Sequence, residues 1–266
     1  MSLQMIPAFA ESALAGPTPT SRELESAGQV QRRLMKTGCS SMATLEYEGR
    51  CLPAGSVGGD YFDFLTPSPG RLGLAVGDVS GKGLSAALMM ASLHASLRTL
   101  YAAGPADMGE ALLAVNDVFG RATSSHHYAS LFLGEYDDAE GVLRYINCGH
   151  VAPLLVRANG SIIRLESTST VLGIFEDWSP SSCHVTLSPG DTLIAFSDGI
   201  SEAAGDGPEE FGDRRLAQAA LAHRHLPVPA LVDALLAACC RFSGFKQVDD
   251  MTLVVARVNG STKEFA

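Results

Sequence analysis

The apolar and polar positions along the chain fall into short segments that change period several times. Residues 1–20 show no period and are rich in Ala, Pro, Ser and Thr, which predicts a poorly ordered tail or linker. From Ser21, a plausible N-cap, Leu24, Ala27, Val30 and Leu34 recur on one helical face, and this helix is expected to end near Gly38. Two strands are predicted around 42–51 and 57–65, broken by Pro53-Ala54-Gly55, and a third over 72–79. A long helix follows from Gly83 to about Ala102. Met89, Leu93, Leu97 and Leu100 form its larger face, Ala86, Ala87, Ala91 and Ala95 keep it slim, and Gly104-Pro105 ends it. A second helix covers about 108–119. Short strands then follow at 128–136, 142–147, 153–156, 161–165, 184–187 and 192–196, with a hairpin signal at Asn159-Gly160. Helices at 211–223 and 228–240, a last strand at 251–258 and a polar tail from Asn259 complete the pattern. Hairpin-length links between strands, with helices grouped apart from them, predict antiparallel sheets with helices outside: an α+β layered sandwich in one domain.

Composition narrows the function. The 266 residues are 46% hydrophobic and 18% charged, as expected of a packed globular chain. A net charge of −10 without basic runs disfavours nucleic acid and anionic membrane surfaces as partners. No apolar run approaches the ~20 residues of a membrane helix. No basic residue precedes Arg22, against a secretory signal. None of the six cysteines forms a C-x-x-C pair, which fits reduced cysteines in a cytoplasmic protein.

The candidate chemistry is carried by four stretches that put aspartate where an apolar strand meets a glycine or turn residue. They are Val57-Gly-Gly-Asp-Tyr-Phe-Asp63, Val76-Gly-Asp-Val-Ser-Gly-Lys-Gly83, Phe196-Ser-Asp-Gly199 and Val248-Asp-Asp-Met-Thr252. A single Asp-Gly pair is ordinary turn chemistry. Four together predict an acidic cluster suited to hard cations, which take oxygen ligands. Clustered carboxylates repel by about 4 kcal/mol per pair at ~4 Å and an effective dielectric near 20, and a bound cation removes that cost. Two such ions acidify water and neutralise phosphoryl charge, so no Ser or Cys nucleophile is needed. His150, after Cys148 and Gly149, suggests a Cys/His hydrolase only weakly, because such a dyad needs spatial adjacency. A structural turn role is expected instead.

Together with Asn147-Cys-Gly-His-Val-Ala-Pro153, these stretches resemble the metal-dependent Ser/Thr protein phosphatases (PPM), in particular the bacterial SpoIIE/RsbU branch, over about Gln29 to Val258. The resemblance implies a four-layer α-β-β-α sandwich of two mostly antiparallel sheets flanked by helix pairs, with two Mn²⁺ or Mg²⁺ ions at the top of the sheets. It implies residues 39–258 as catalytic domain, 21–38 as connector helix and 259–266 as tail. Asp60, Asp78, Asp198 and Asp249 become the catalytic, metal-holding residues, with Asp78 bridging both ions and Val79 offering its carbonyl. Asp250 is expected to cap or support the site, and Asp63 to order the first loop. The implied reaction is hydrolysis of phosphoserine or phosphothreonine on a signalling protein, commonly a STAS-domain anti-anti-sigma factor. One position departs from the animal-type pattern. Gly55 stands where an Arg grips the substrate phosphate, so the anchor is unassigned, and Lys82 reads equally well as a solvated turn lysine. Two alternatives stay open: a phosphoprotein-binding module with little turnover, and another two-metal phosphohydrolase. The helix over 21–36 is read either as packed on its own domain or as a connector or homodimerisation element.

Overall fold

The computed structural model describes residues 19–35, 40–104, 107–122, 127–175 and 177–260. Residues 1–18 of the expected tail over 1–20, the helix end near Gly38, Pro105 and the segment 261–266 lie outside these residues. The chain opens with helix α1 (Ser21–Leu34). Its N-cap is Thr20 rather than Ser21, because Thr20 and Glu23 form a reciprocal capping box: the Thr20 N–H donates to Glu23 Oε2 (2.6 Å) and the Glu23 N–H to Thr20 Oγ1 (3.3 Å). Strands β1 (Ser40–Ser41), β2 (Leu45–Leu52), β3 (Asp60–Leu65) and β4 (Arg71–Val79) follow, then α2 (Gly83–Ala103) and α3 (Met108–Ala122). Next come β5 (Ala129–Asp137), β6 (Val142–Cys148), β7 (Leu154–Val156), β8 (Ile162–Arg164), β9 (Cys183–Thr186) and β10 (Thr192–Phe196). The one-turn α4 (Asp198–Ser201), α5 (Gly212–Ala222), α6 (Val228–Phe242) and β11 (Met251–Val258) complete the fold.

All strand pairs are antiparallel. One sheet runs β1-β2-β11-β10-β7-β8 and the other β3-β4-β5-β6-β9. Three apolar clusters define four layers. The middle one interleaves Phe62, Phe64, Leu74, Val76 and Phe132 of the second sheet with Leu45, Leu155, Leu193, Val254 and Ala256 of the first. Outside the second sheet, Leu93 and Leu97 of α2 and Leu112 and Phe119 of α3 cover Tyr61, Leu131 and Ile146. Outside the first, Leu216 of α5 and Leu231 and Leu235 of α6 cover Ile194, Phe196, Leu253 and Val255. The central strands are buried on both faces, so β10 and β11 read as continuous apolar runs rather than alternating ones. The expected α-β-β-α sandwich is the observed one. Among the described residues no helix is long and apolar enough to cross a membrane, and the five described cysteines form no disulfide.

Helix α1 packs on its own domain, through a stripe that differs from the expected one. Gly28 and Gln31 are its buried positions, followed by the buried Met35 at its C-cap, while Val30 is 56% exposed. A Cβ on Gly28 would sit 2.2 Å from the Ser56 carbonyl oxygen, so only glycine permits this approach. Gln31 clamps one peptide unit of the β2–β3 loop, donating Nε2 to the Gly58 carbonyl (2.6 Å) and accepting the Gly58 N–H on Oε1 (3.0 Å). Gln31→Ala leaves both buried backbone groups unpaired and is expected to cost about 2–4 kcal/mol in urea denaturation. An unchanged midpoint would mean that the loop does not depend on α1. On α2 the deep positions are Met90, Leu93, Leu97 and Tyr101, whereas Met89 and Leu100 are only partly buried.

Candidate metal centre

Register brings the first two aspartates together. In the β3–β4 ladder Asp60 lies directly opposite Asp78, and in the β4–β5 ladder Asp78 lies opposite Ser130. A Cβ on Gly59 would stand 2.6 Å from the Val79 carbonyl oxygen and 3.3 Å from Asp78 Oδ1, so this glycine lets the first loop close over the second. After Val79, Gly81 (φ 100°) and Gly83 (φ 71°) turn the chain from β4 into α2 through backbone conformations that suit glycine. The other two stretches come from the first sheet. Phe196 pairs with Leu253, so Asp198 and the Asp249-Asp250 pair leave neighbouring strands at the same end. Ser197 joins them: its Oγ donates to the Asp250 carbonyl (3.2 Å) and accepts the Thr252 N–H (2.9 Å). Asp198 is the first residue of α4, and its carbonyl accepts the Glu202 N–H (2.7 Å). The fold therefore gathers Asp60, Asp78, Val79, Asp198 and Asp249 at one end of both sheets.

The electrostatics of the cluster are unfavourable for carboxylates alone. Burial pushes the Asp78 carboxyl up to about 7, and the charges of Asp198, Asp249 and Asp250 add to the shift. Asp60 is held well above the usual range, first by burial and further by Asp78 and Asp250, with the hydroxyls of Thr252 and Ser197 opposing. Asp198 is raised by burial and then by Asp249. Asp60 Oδ2 is buried with no hydrogen-bond partner. An orphaned carboxylate oxygen beside strained neighbours, all hard oxygen donors, fits divalent cations such as Mn²⁺ or Mg²⁺. The side chains are not drawn onto one point, however: among the described residues no group of three His, Cys, Asp or Glu is placed to hold an ion. Asp249, half exposed, pairs with Lys82, with Nζ to Oδ2 at 2.8 Å.

The folded pKa of Asp78 is raised above its ordinary 3.8, so ionisation costs stability as pH climbs from about 4 to about 7. Below that window the cost is absent; above it, the cost is fully present. In EDTA the uncharged Asp78→Asn variant is expected to gain on the wild type across this range by on the order of 2–4 kcal/mol. Melting temperatures of both proteins at pH 4.5 and pH 8 check this. A difference that does not grow with pH would count against a strained carboxylate.

Of the neighbouring residues, Asp250 and His150 take the supporting and structural roles expected of them, and Asp63 does not. Asp250 is 7% exposed and works as a loop clamp, accepting the N–H groups of Ala54 on Oδ1 (2.7 Å) and Asp60 on Oδ2 (3.5 Å). That agrees with the supporting role expected of it. Asp63 does not order the first loop. It is fully buried on β3, paired with Arg98 of α2, and accepts from the Tyr61 hydroxyl (3.1 Å). Alternation along β3 puts it on the helix-facing side, away from the cluster. His150 is buried, its Nδ1 is 2.7 Å from Ser130 Oγ, and burial pushes it down to about 4, so it stays neutral. Its backbone N–H is capped by Asn147 Oδ1 (2.8 Å), a structural turn with no Cys partner. Trp178 anchors the 170s loop through Nε1 to the Thr170 carbonyl (3.1 Å).

Two hollows meet at Asp78. The larger, of about 410 Å³, is lined by Gly55, Ser56, Gly58, Lys82, Asp249 and Asp250 among others. The smaller, of about 190 Å³, runs past Ser130, His150 and Asp198. The aspartate cluster is thus open to a ligand on two sides.

Comparison with known proteins agrees with this geometry. The sequence model of the Stage II sporulation protein E (SpoIIE) family matches residues 68–259. Protein IcfG of Synechocystis sp. (strain ATCC 27184 / PCC 6803 / Kazusa) is 25% identical over 265 residues, covering 89% of this chain and 42% of that protein. Phosphoserine phosphatase RsbU of Bacillus subtilis (strain 168) is 26% identical over 238 residues, covering 88% of this chain and 70% of RsbU. The crystal structure of the RsbU and RsbW domains of Rv1364c from Mycobacterium tuberculosis superposes with a TM-score of 0.72 at 30% identity, covering 82% of this chain and 61% of that one. The chain therefore spans less than half of IcfG and under two thirds of the mycobacterial chain. With the family model matched across the aspartates at 78, 198 and 249 and the two-sheet fold shared, the chain belongs to the Stage II sporulation protein E (SpoIIE) family.

Proposed function

We propose that this chain is a Mn²⁺- or Mg²⁺-dependent phosphoprotein phosphatase that hydrolyses phosphoserine or phosphothreonine on a signalling partner. The observation that carries the reading is Asp78, opposite Asp60 in register, raised to about 7 among Asp198, Asp249 and Asp250, at the meeting of two open hollows. Asp60, Asp78, Asp198 and Asp249, with the Val79 carbonyl, would hold two ions. Bound there, the ions would make water a competent nucleophile at neutral pH and offset phosphoryl charge. The chain's own groups supply the frame. Asp250 fixes the amides of Ala54 and Asp60, and Ser197 ties the Asp198 and Asp250 segments together. The Cys51 thiol is no competing nucleophile: burial, and then the charge of Asp60, lift it far above its usual range, so it stays protonated. We read the reaction as direct hydrolysis by metal-activated water, without a phosphoenzyme.

RsbU is a phosphoserine phosphatase, and its likeness to this chain supports a phosphorylated protein substrate, in our reading a STAS-domain protein. We place the enzyme in the cytoplasm and assign homodimerisation, where it occurs, to residues 21–36. The second reading, a phosphoprotein-binding module with little turnover, is favoured by one observation: Asp249 is engaged by Lys82. The deciding experiment measures phosphate release from a phosphoserine peptide and from a phosphorylated STAS-domain protein, with Mn²⁺ and with EDTA. Mn²⁺-dependent release abolished by EDTA is the expected result. Binding of the phosphoprotein without release, in protein shown to bind Mn²⁺, would give the second reading its place.

A further inference from the structure

Sites that handle phosphoryl groups supply cationic N–H donors to the oxygens that carry the charge. In this site Gly55, on the wall of the larger hollow, offers no side chain for that task. Among the described residues, Lys82 is the only Lys or Arg that lines either hollow meeting at Asp78. It sits between two positive-φ glycines, immediately before α2. From there its ammonium reaches across the hollow to Asp249 Oδ2 (2.8 Å) and the Val248 carbonyl (3.5 Å). The first turn of α2 holds no acidic residue, so the positive end of that 21-residue helix adds to the Lys82 charge instead of cancelling it.

The plainer account is a surface ion pair that fixes Asp249. Two features go against it. Lys82 and Asp249 are 69% and 49% exposed at their side chains, and pairs this exposed are held weakly. Asp249 also belongs to the carboxylate cluster, whose members gain by exchanging a lysine for a divalent cation. We propose that Lys82 is the phosphate-anchoring residue of this site: its ammonium leaves Asp249 when that carboxylate takes a cation, and donates to a non-bridging phosphoryl oxygen. The substrate named here rests on the phosphatase reading above; the anion anchor itself does not.

The test is binding of inorganic phosphate, the reaction product, to the Mn²⁺-loaded full chain by titration calorimetry, with Mn²⁺ affinity measured separately. Lys82→Ala should weaken phosphate binding by about tenfold to a hundredfold. Lys82→Arg should keep it within about threefold of wild type, and Mn²⁺ affinity of Lys82→Ala should be equal to or tighter than wild type. Arg32, whose guanidinium lies over Gly28 beside Ser56, is the control, and Arg32→Ala should bind phosphate as wild type does. The proposal is overturned if wild type binds no phosphate, if Lys82→Ala binds it normally, or if its loss only follows a loss of Mn²⁺. A loss confined to Arg32→Ala overturns it equally. Phosphate bound through Lys82 by a chain that releases none from phosphoserine would keep the anchor and sink the phosphatase reading.

Discussion

Asp78→Asn is expected to lower Mn²⁺-dependent phosphoserine hydrolysis by roughly a thousandfold or more. Asp78 is the member of the cluster that meets all the others. It lies opposite Asp60 across β3–β4, and its ionisation is opposed by Asp198, Asp249 and Asp250. An amide keeps the shape and one acceptor oxygen but loses the charge that makes the position worth filling with a divalent ion. The measurement is the initial rate at saturating Mn²⁺, with Mn²⁺ titrated in parallel. A fall confined to Mn²⁺ affinity, rescued by excess metal, would assign Asp78 to binding alone. An unchanged rate would remove the cluster from catalysis. The same substitution is expected to stabilise the metal-free fold at neutral pH, so its melting temperature separates lost activity from unfolding.

Gly199→Ala should be as damaging to turnover by a different route, and should also cost the fold on the order of 3 kcal/mol. A Cβ at this position would lie 2.0 Å from the Asp250 carbonyl oxygen and 2.9 Å from its carbonyl carbon, and both are backbone atoms. No side-chain rotation relieves such a contact, so either the start of α4 or the Asp249-Asp250 turn must move. Each carries a proposed ligand, Asp198 on one side and Asp249 on the other. The Ser197 hydroxyl, which donates to that same Asp250 carbonyl at 3.2 Å, would be displaced with it. Urea denaturation and the Mn²⁺-dependent rate check the two effects. A variant with wild-type stability and activity would show that this junction is far more yielding than the packing indicates.

Much of this was legible along the chain because it is local. A glycine-flanked aspartate at a strand end announces a turn and a carboxylate together, and four of them with an apolar strand before each left few other readings. The helix and strand order followed from periodicity, and the adjacent stripe on α2 cost only an error of one position at Met89 and Leu100. What local pattern missed is the set of polar side chains whose partners are distant in sequence. Gln31 is no part of the stripe formed by Leu24, Ala27, Val30 and Leu34, yet it clamps Gly58, 27 residues on. Asp63 shares a motif with Asp60, but one step of strand alternation and an Arg98 from α2 give it a buried ion pair instead.

The sequence by itself pointed to which carboxylates could serve, because hard-cation chemistry needs oxygen donors and these four stretches put aspartate where an apolar strand meets a glycine or turn residue. It also determined that sheets pack with helices outside them, since the hydrophobic period sets which faces must be buried, while the four-layer order was what the resemblance implied. Tertiary structure alone decided which aspartates clamp and which stand free. Asp250 becomes a loop clamp because packing brings the Ala54 amide, 196 residues away, to 2.7 Å. Lys82 reaches Asp249, 167 residues away, because the two sheets end side by side. A residue's type fixes what it can donate or accept; its partner is set by the closure of the chain, and for a charged group in a half-buried cleft the partner decides its role.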